Sequence, residues 1–291
     1  MNAPIQPTSP EFVTAPHAFR FGRNWKRYVS TYLDSDRERI AAQSLRELVG
    51  ELHERTFLDV GCGSGLFSLC AHRAGAKQVV SFDIDSESVA ATRLLHQRAG
   101  SPESWRILHG SILDFSFLAN LDSADVVYSW GVLHHTGDMY TAIRNAASLV
   151  DPGGIFAIAI YNQVAGGWLD STRWWQIKRA YNRASPVGQR VMELTYALYR
   201  LTGQVRSRSN PLRVAREYRR SRGMALWTDM LDWLGGYPYE FATAEAIVTF
   251  CEQGCGLRCT RLIPVSDQGT GNNQFVFERS PSGRGGAGTS R

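Results

Sequence analysis

A doubly wound α/β sheet with a helical insertion after its fifth strand is the architecture this sequence predicts, and three observations carry it. Short apolar runs alternate with longer helical stretches from Thr56 to Tyr161. Strands separated by helices of that length are joined by right-handed crossovers, which makes the sheet parallel with helices on both faces. A glycine cluster at Gly61, Gly63 and Gly65 follows the first apolar run directly. Finally, Gly167 to Leu234 is rich in Trp, Tyr and Arg and offers no strand, yet strand-like runs resume after it.

Element by element, apolar residues Ile40, Leu45, Leu48 and Leu52 give Ser35–Leu52 helical spacing. Strands are expected at Thr56–Val60, Gln78–Phe82, Trp105–His109, Ala124–Ser129 and Gly154–Tyr161. Between them helices are expected at Ser64–Ala74, Ser86–Ala99 and Asp138–Val150. A helix over Thr243–Gln253 and strands over Leu257–Pro264 and Gln274–Glu278 complete a seven-stranded sheet. The organisation read from this is a mobile N-terminus (1–17), N-terminal lid helices (18–55), a ligand-binding core (56–162) and a helical insertion or substrate cap (163–240). The end of the core sheet (241–279) and a low-complexity tail (280–291), expected to be disordered and dispensable, follow.

Composition narrows the class. Hydrophobic residues are 43% of the 291 and charged residues 20%, which excludes wholesale disorder. The longest apolar run lies inside Ile155–Tyr161, well short of the ~18–20 residues of a membrane span. The polar, proline-containing start has no apolar signal core, and five scattered cysteines do not form a disulfide pattern, so a cytoplasmic protein is expected. Between Trp168 and Gly223 there are 13 Lys/Arg against Asp170, Glu193 and Glu217, a net of +10 within a chain of +5. That basic segment suits an RNA, an anionic substrate or a solvated helical face. Cys251, Cys255 and Cys259 fit no common zinc spacing, and no metal is expected.

The chemistry concentrates at strand ends. Phe57-Leu58-Asp59-Val60-Gly61-Cys62-Gly63-Ser64-Gly65 runs a strand through glycines into a helix start, where the backbone can approach a ligand and free N–H groups await it. The spacing is G-x-G-x-G, one residue shorter than the nicotinamide fingerprint. Asp59 would repel a pyrophosphate and attract an ammonium group, which favours a cationic amino-acid cofactor over NAD. Eighteen residues past Gly65, Asp83 ends the second strand, placed to accept two ribose hydroxyls, with Asp85 as cap of the next helix. His109-Gly110-Ser111-Ile112-Leu113-Asp114 ends the third strand, with Ser111 or Asp114 beside an adenine ring. Ala124 to His135, with Trp130, His134 and His135, ends the fourth.

With these four landmarks in order over residues 57–161, the chain resembles class I S-adenosylmethionine-dependent methyltransferases, in the branch similar to ubiquinone and menaquinone biosynthesis methylases. The resemblance implies the Rossmann-like methyltransferase fold, with the last strands antiparallel, and S-adenosyl-L-methionine as cofactor. It implies that Asp59, Gly61 and Gly63 hold the methionine portion, Asp83 the ribose, and Ser111 and Ile112 the adenine, with Ile84 also among the cofactor-binding residues. Trp130, His134 and His135 would line the floor of methyl transfer. Phe19 to Trp25 and Gly235 to Glu240 resemble segments of a bacterial subgroup, the first folding a helix over the cofactor. Phe21, Asn24 and Trp25 are therefore expected in a lid that orders on cofactor binding. Tyr161, Tyr237 and Glu240, at a strand end and beside glycines, are the expected pocket residues, Glu240 pairing a substrate amine or acting as base. The expected activity is methyl transfer to a small-molecule O, N or S acceptor: phenol- or quinone-like, a sugar or amino-acid-like. A tRNA-modifying enzyme and a non-catalytic cofactor-binding regulator are the alternatives.

Overall fold

The computed structural model describes residues 21–31, 33–206, 230, 233–265 and 269–281. The expectations for residues 1–17 and 282–291, and for Phe19 and Arg20, lie outside the described residues. So do six of the 13 basic residues of the insertion.

Two helices, α1 (Gly22–Thr31) and α2 (Ser35–Val49), precede the sheet. Asp34 caps α2 by accepting from the Arg37 N–H. The expected run to Leu52 stops at Val49, because Gly50 takes a positive φ of 77°. Then β1 (Thr56–Val60), α3 (Leu66–Arg73), β2 (Gln78–Asp83), α4 (Ser86–Arg98) and β3 (Trp105–His109) alternate. A short helix, α5 (Phe115–Leu118), is followed by β4 (Ala124–Trp130), a 3-10 turn (Leu133–His135), α6 (Met139–Ser148) and β5 (Val150–Tyr161). The insertion contributes α7 (Ser171–Arg183) and α8 (Pro186–Arg206), and the chain closes with α9 (Ala244–Cys255), β6 (Leu257–Ile263) and β7 (Asn272–Arg279).

The seven strands stand in the order β3-β2-β1-β4-β5-β7-β6. β1 to β5 are parallel, and β7 pairs antiparallel with both β5 and β6. So β7 alone runs against the sheet, rather than both last strands. Two helix boundaries also shift inward for local reasons. α3 starts at Leu66 because Gly65 is left-handed at φ 78°. α6 stops at Ser148, and Val150 already pairs with Ala124 in a strand whose register slips before Ile155 meets Val126.

Strand alternation sends successive residues into two apolar layers. Leu58, Val60, Phe156, Ile158 and Phe275 pack with α6 and α9, while Phe57, Val79, Val126 and Tyr128 pack with α2, α3 and α4. Each such fully buried side chain contributes about 1.5–3 kcal/mol. A third, smaller cluster belongs to the insertion: Trp174, Tyr181, Leu234 and Tyr239, with Tyr161 and Trp233 against them. Ser185 and Pro186 divide the insertion's helical run, since proline starts helices well and interrupts them badly. The insertion leaves and rejoins the sheet at one place. Asn162 bridges Ala242, the Gln163 N–H donates to the Ala242 carbonyl at 3.0 Å, and the Ala242 N–H donates to that of Tyr161 at 3.1 Å. Among the described residues no helix is long and apolar enough to cross a membrane.

Candidate active site

The loop after β1 is shaped by three glycines at positive φ, 74° at Gly61, 53° at Gly63 and 78° at Gly65. The N–H groups of Gly61 and Cys62 both donate to the Phe82 carbonyl, which turns the loop back over the end of β2. There Asp83 meets it: its Oδ2 accepts from the Gly63 N–H at 3.0 Å and its Oδ1 from the Asp85 N–H at 2.8 Å. Burial pushes the Asp83 carboxyl up to about 6. Asp85 does cap α4, accepting from Glu87, and its other oxygen accepts from the Gly22 N–H at 2.9 Å, which pins α1 to α4. Because of that pin, α1 lies over the loop. A Cβ at Gly63 would stand 3.2 Å from Trp25 Nε1.

At Gly61 the space is already taken, for a Cβ there would sit 2.3 Å from Val132 Cγ1. Gly61→Ala should therefore cost far more stability than Gly100→Ala, where φ is 86° but nothing lies within 4 Å. Left-handed strain of about 1–2 kcal/mol is common to both variants. Thermal melts of the pair check the difference, and equal melting temperatures would remove the packing argument.

Asp59 is 3% exposed and its Oδ2 accepts from the Ser68 hydroxyl. The chain continues inward, Ser81 donating to Ser68 at 2.7 Å and Trp105 Nε1 to Ser81 at 2.8 Å. This buried relay was not visible in the sequence. Burial lifts the Asp59 carboxyl to about 7, against the lowering effect of its hydrogen bonds with Ser68. On the adenine side, Ile84 is 67% exposed at the strand tip. Ser111 Oγ accepts from the Leu113 N–H, and Asp114 caps α5. The Ile112 side chain is 5% exposed and packs into the core. Trp130 stacks on Tyr128 at 5.6 Å, in the same cluster as Trp25 and apart from the two histidines.

The histidines gather a second set of residues. His134 is wholly buried, its ring 4.0 Å from that of Tyr161. The half-buried His135 ring lies 5.2 Å from Phe21 and edge-on to Tyr161 at 5.4 Å. His135 Nδ1 donates to the Pro238 carbonyl at 2.6 Å, which fixes the tautomer and leaves a lone pair on Nε2. Burial pulls His135 down to about 4, so the ring is neutral at pH 7.

Comparison with known proteins bears directly on this arrangement. Residues 58–158 match the family model of the methyltransferase domain. The core of this chain is thus similar to methyltransferase domains. Over 113 residues it is 34% identical to the ubiquinone biosynthesis O-methyltransferase of Paramagnetospirillum magneticum, covering 39% of this chain and 43% of that protein. With the Sodalis glossinidius protein of the same name it shares 32% over 123 residues, 42% and 48% of the two chains. The chain thus spans less than half the length of these curated relatives. Among solved structures, the magnesium protoporphyrin IX methyltransferase of Synechocystis, with bound SAH, superposes at a TM-score of 0.52 with 16% identity, covering 89% of this chain and 94% of that one. An O-methyltransferase family protein from Burkholderia thailandensis gives 0.51 at 14% identity, covering 90% and 59%. At those identities the likeness is one of fold.

The segment after the insertion has an unexpected partner. The Glu240 N–H donates to the His134 carbonyl at 2.9 Å. The Glu240 carboxylate accepts from the Gly137 N–H at 3.0 Å and the Met139 N–H at 3.1 Å, at the start of α6. Both oxygens are thus engaged by backbone, and Glu240 positions the histidine turn instead of facing a substrate amine as expected. Burial raises its carboxyl to about 7. Glu240→Gln leaves one backbone N–H facing an amide, so the melting temperature and kcat should both fall while cofactor affinity holds. Unchanged melting would show the two contacts to be worth little. Tyr237 is buried at 7% exposure beside this segment. Trp168, by contrast, is 81% exposed with Arg173 across its face, so it roofs no pocket.

Proposed function

We propose that the chain is an S-adenosylmethionine-dependent methyltransferase that acts on a hydroxyl of a small molecule. The observation that carries it is the coupling of Asp83 to the Gly63 N–H, which sets a carboxylate at the tip of β2 beside the glycine loop. The residues fit the cofactor: Asp83 for ribose hydroxyls, the 61–65 loop and Asp59 for the methionine end, exposed Ile84 for the adenine edge, and Trp25 above. When bound, that cofactor supplies an electrophilic methyl group on a cationic sulfur. The relatives' printed name, an O-methyltransferase of ubiquinone biosynthesis, supports an oxygen acceptor.

The chain's own residues then have distinct tasks. His135 accepts the hydroxyl proton at Nε2, because Pro238 holds its other nitrogen as the donor. Tyr161 and Phe21 flank the ring and limit its rotation. Glu240 keeps the 133–139 turn in register. Most of the acceleration comes from orienting the acceptor and excluding water around it. Calorimetry with S-adenosylhomocysteine tests the cofactor. Incubation with methyl-labelled cofactor and a cell extract, followed by separation of small molecules from RNA, tests the acceptor. Label confined to RNA would overturn the small-molecule reading.

A further inference from the structure

Away from the glycine loop and the histidine turn, the last turn of α9 brings two thiols together. Cys251 and Cys255 stand four residues apart on one face of that helix. This spacing sets their Cα atoms about 6 Å apart, within the range that a disulfide spans. Cys251 is 0% exposed and packs in the core layer with Ile247 and Leu257, whereas Cys255 is only half-buried. The Cys251 thiol donates to the Cys255 sulfur. Cys259, at the start of β6, is engaged elsewhere. Its thiol donates to the Arg261 carbonyl at 3.8 Å, and its N–H donates to Glu252 at 3.1 Å.

The two sulfurs are not equivalent. A helix C-terminus is its negative end and works against a thiolate. Two guanidiniums offset it here. Arg279 of β7 donates to the Ala147 carbonyl at 2.7 Å, and its Nη1 lies 4.0 Å from where a Cβ on Gly256 would stand. Its Nε is buried without a hydrogen-bond partner. Arg144 of α6 lies over the Phe250 ring, 5.2 Å from the centroid. The hydrogen bond from Cys251 and these two charges, against its own burial, bring the Cys255 thiol down to about 7. Burial and the charge of Glu252 push Cys259 the other way. The thiolate is the form that attacks peroxides, so Cys255 is the nucleophile of the pair and Cys251 the thiol waiting behind it.

We propose that Cys255 is a site of reversible oxidation by hydrogen peroxide, with Cys251 resolving it to a disulfide within α9. The Cys255 thiolate attacks one peroxide oxygen, the O–O bond breaks, hydroxide leaves and Cys255 becomes a sulfenic acid. The Cys251 sulfur then displaces the sulfenic hydroxyl, which leaves as water with the Cys251 proton. The two thiols together give two electrons to the peroxide, and an added dithiol returns them by exchange. None of these groups belongs to the glycine loop or the histidine turn, so the proposal stands apart from the methyl-transfer reading.

The test uses the full, reduced chain, treated with hydrogen peroxide at pH 7, blocked with iodoacetamide and cut with trypsin. Residues 223–258 form one tryptic peptide holding both Cys251 and Cys255, and Cys259 falls in the next, 259–261. The first peptide should lose two hydrogens and take up no label, and dithiothreitol should restore both sites to labelling. In Cys251→Ser, dimedone should instead trap a sulfenic acid on Cys255. Without peroxide, iodoacetamide should alkylate Cys255 of the wild type at least tenfold faster than Cys259. A first peptide without the internal bridge, a bridge joining the two peptides, or earlier oxidation of Cys62 or Cys70 would each overturn the proposal. So would equal alkylation rates of Cys255 and Cys259.

Discussion

Asp83→Ala should lower S-adenosylhomocysteine affinity by about 1.5–3 kcal/mol, the worth of hydrogen bonds to a charged group, or roughly ten- to a hundredfold. The variant also leaves the Gly63 and Asp85 N–H groups without their acceptor, so the melting temperature should drop as well. Asp83→Asn keeps the shape, loses the charge and leaves one of the two N–H groups facing its amide, so its melting temperature is the reference for the stability part of the loss. The pH dependence has a defined sign. Burial raises the folded carboxyl to about 6, above its unfolded range near 4. Its contribution to stability is therefore full below about 4 and is lost as pH rises through about 6. Ribose hydroxyls favour the ionised form, so cofactor affinity should climb between pH 5 and 7 in the wild type and stay flat in Asp83→Asn. Calorimetry at both pH values decides it, and a climb of equal size in both proteins would take Asp83 out of the cofactor site.

The second large effect is expected at His135. His135→Asn can still donate to the Pro238 carbonyl through its side-chain amide, yet it has no group at the position of Nε2. If His135 takes the acceptor's proton, kcat should fall about 10²- to 10⁴-fold, while S-adenosylhomocysteine affinity stays within twofold. Because burial holds the imidazole near 4, wild-type kcat at saturating cofactor should remain level from pH 8 to about 5 and decline only below that. A decline centred near 6.5 would mean an unburied histidine. Near-normal turnover in His135→Asn would assign the proton to solvent or to another group.

How much of this was legible beforehand follows the range of the interactions. The strand positions were readable because a parallel sheet buried on both faces demands continuous apolar runs such as Phe57–Val60 and Phe156–Ile160. Asp85 as a cap was readable too, since capping joins residues two or three apart. Glu240 was not. Its partners Gly137 and Met139 lie 103 and 101 residues away, and no local pattern separates a carboxylate that caps a distant turn from one that faces a ligand. The Asn145 amide, which donates to the Ile112 carbonyl from α6, was equally out of local reach. The relay from Trp105 to Asp59 crosses three strands' worth of sequence and needed coordinates to be seen.

The closeness of Asn162 and Ala242 has a consequence for how such a chain can diverge. The insertion leaves and rejoins the sheet at these two adjacent points, and Pro238 and Glu240 at its end are tied to the 134–139 turn as well. Loop-closure entropy grows only as the logarithm of length, about 0.6 kcal/mol for each doubling. The sheet is therefore nearly indifferent to how long the insertion is, provided its ends still meet. Chains sharing this scaffold can lengthen, shorten or exchange the insertion at little cost to the scaffold. Side chains carried on the insertion and side chains at the strand ends are then free to drift at separate speeds.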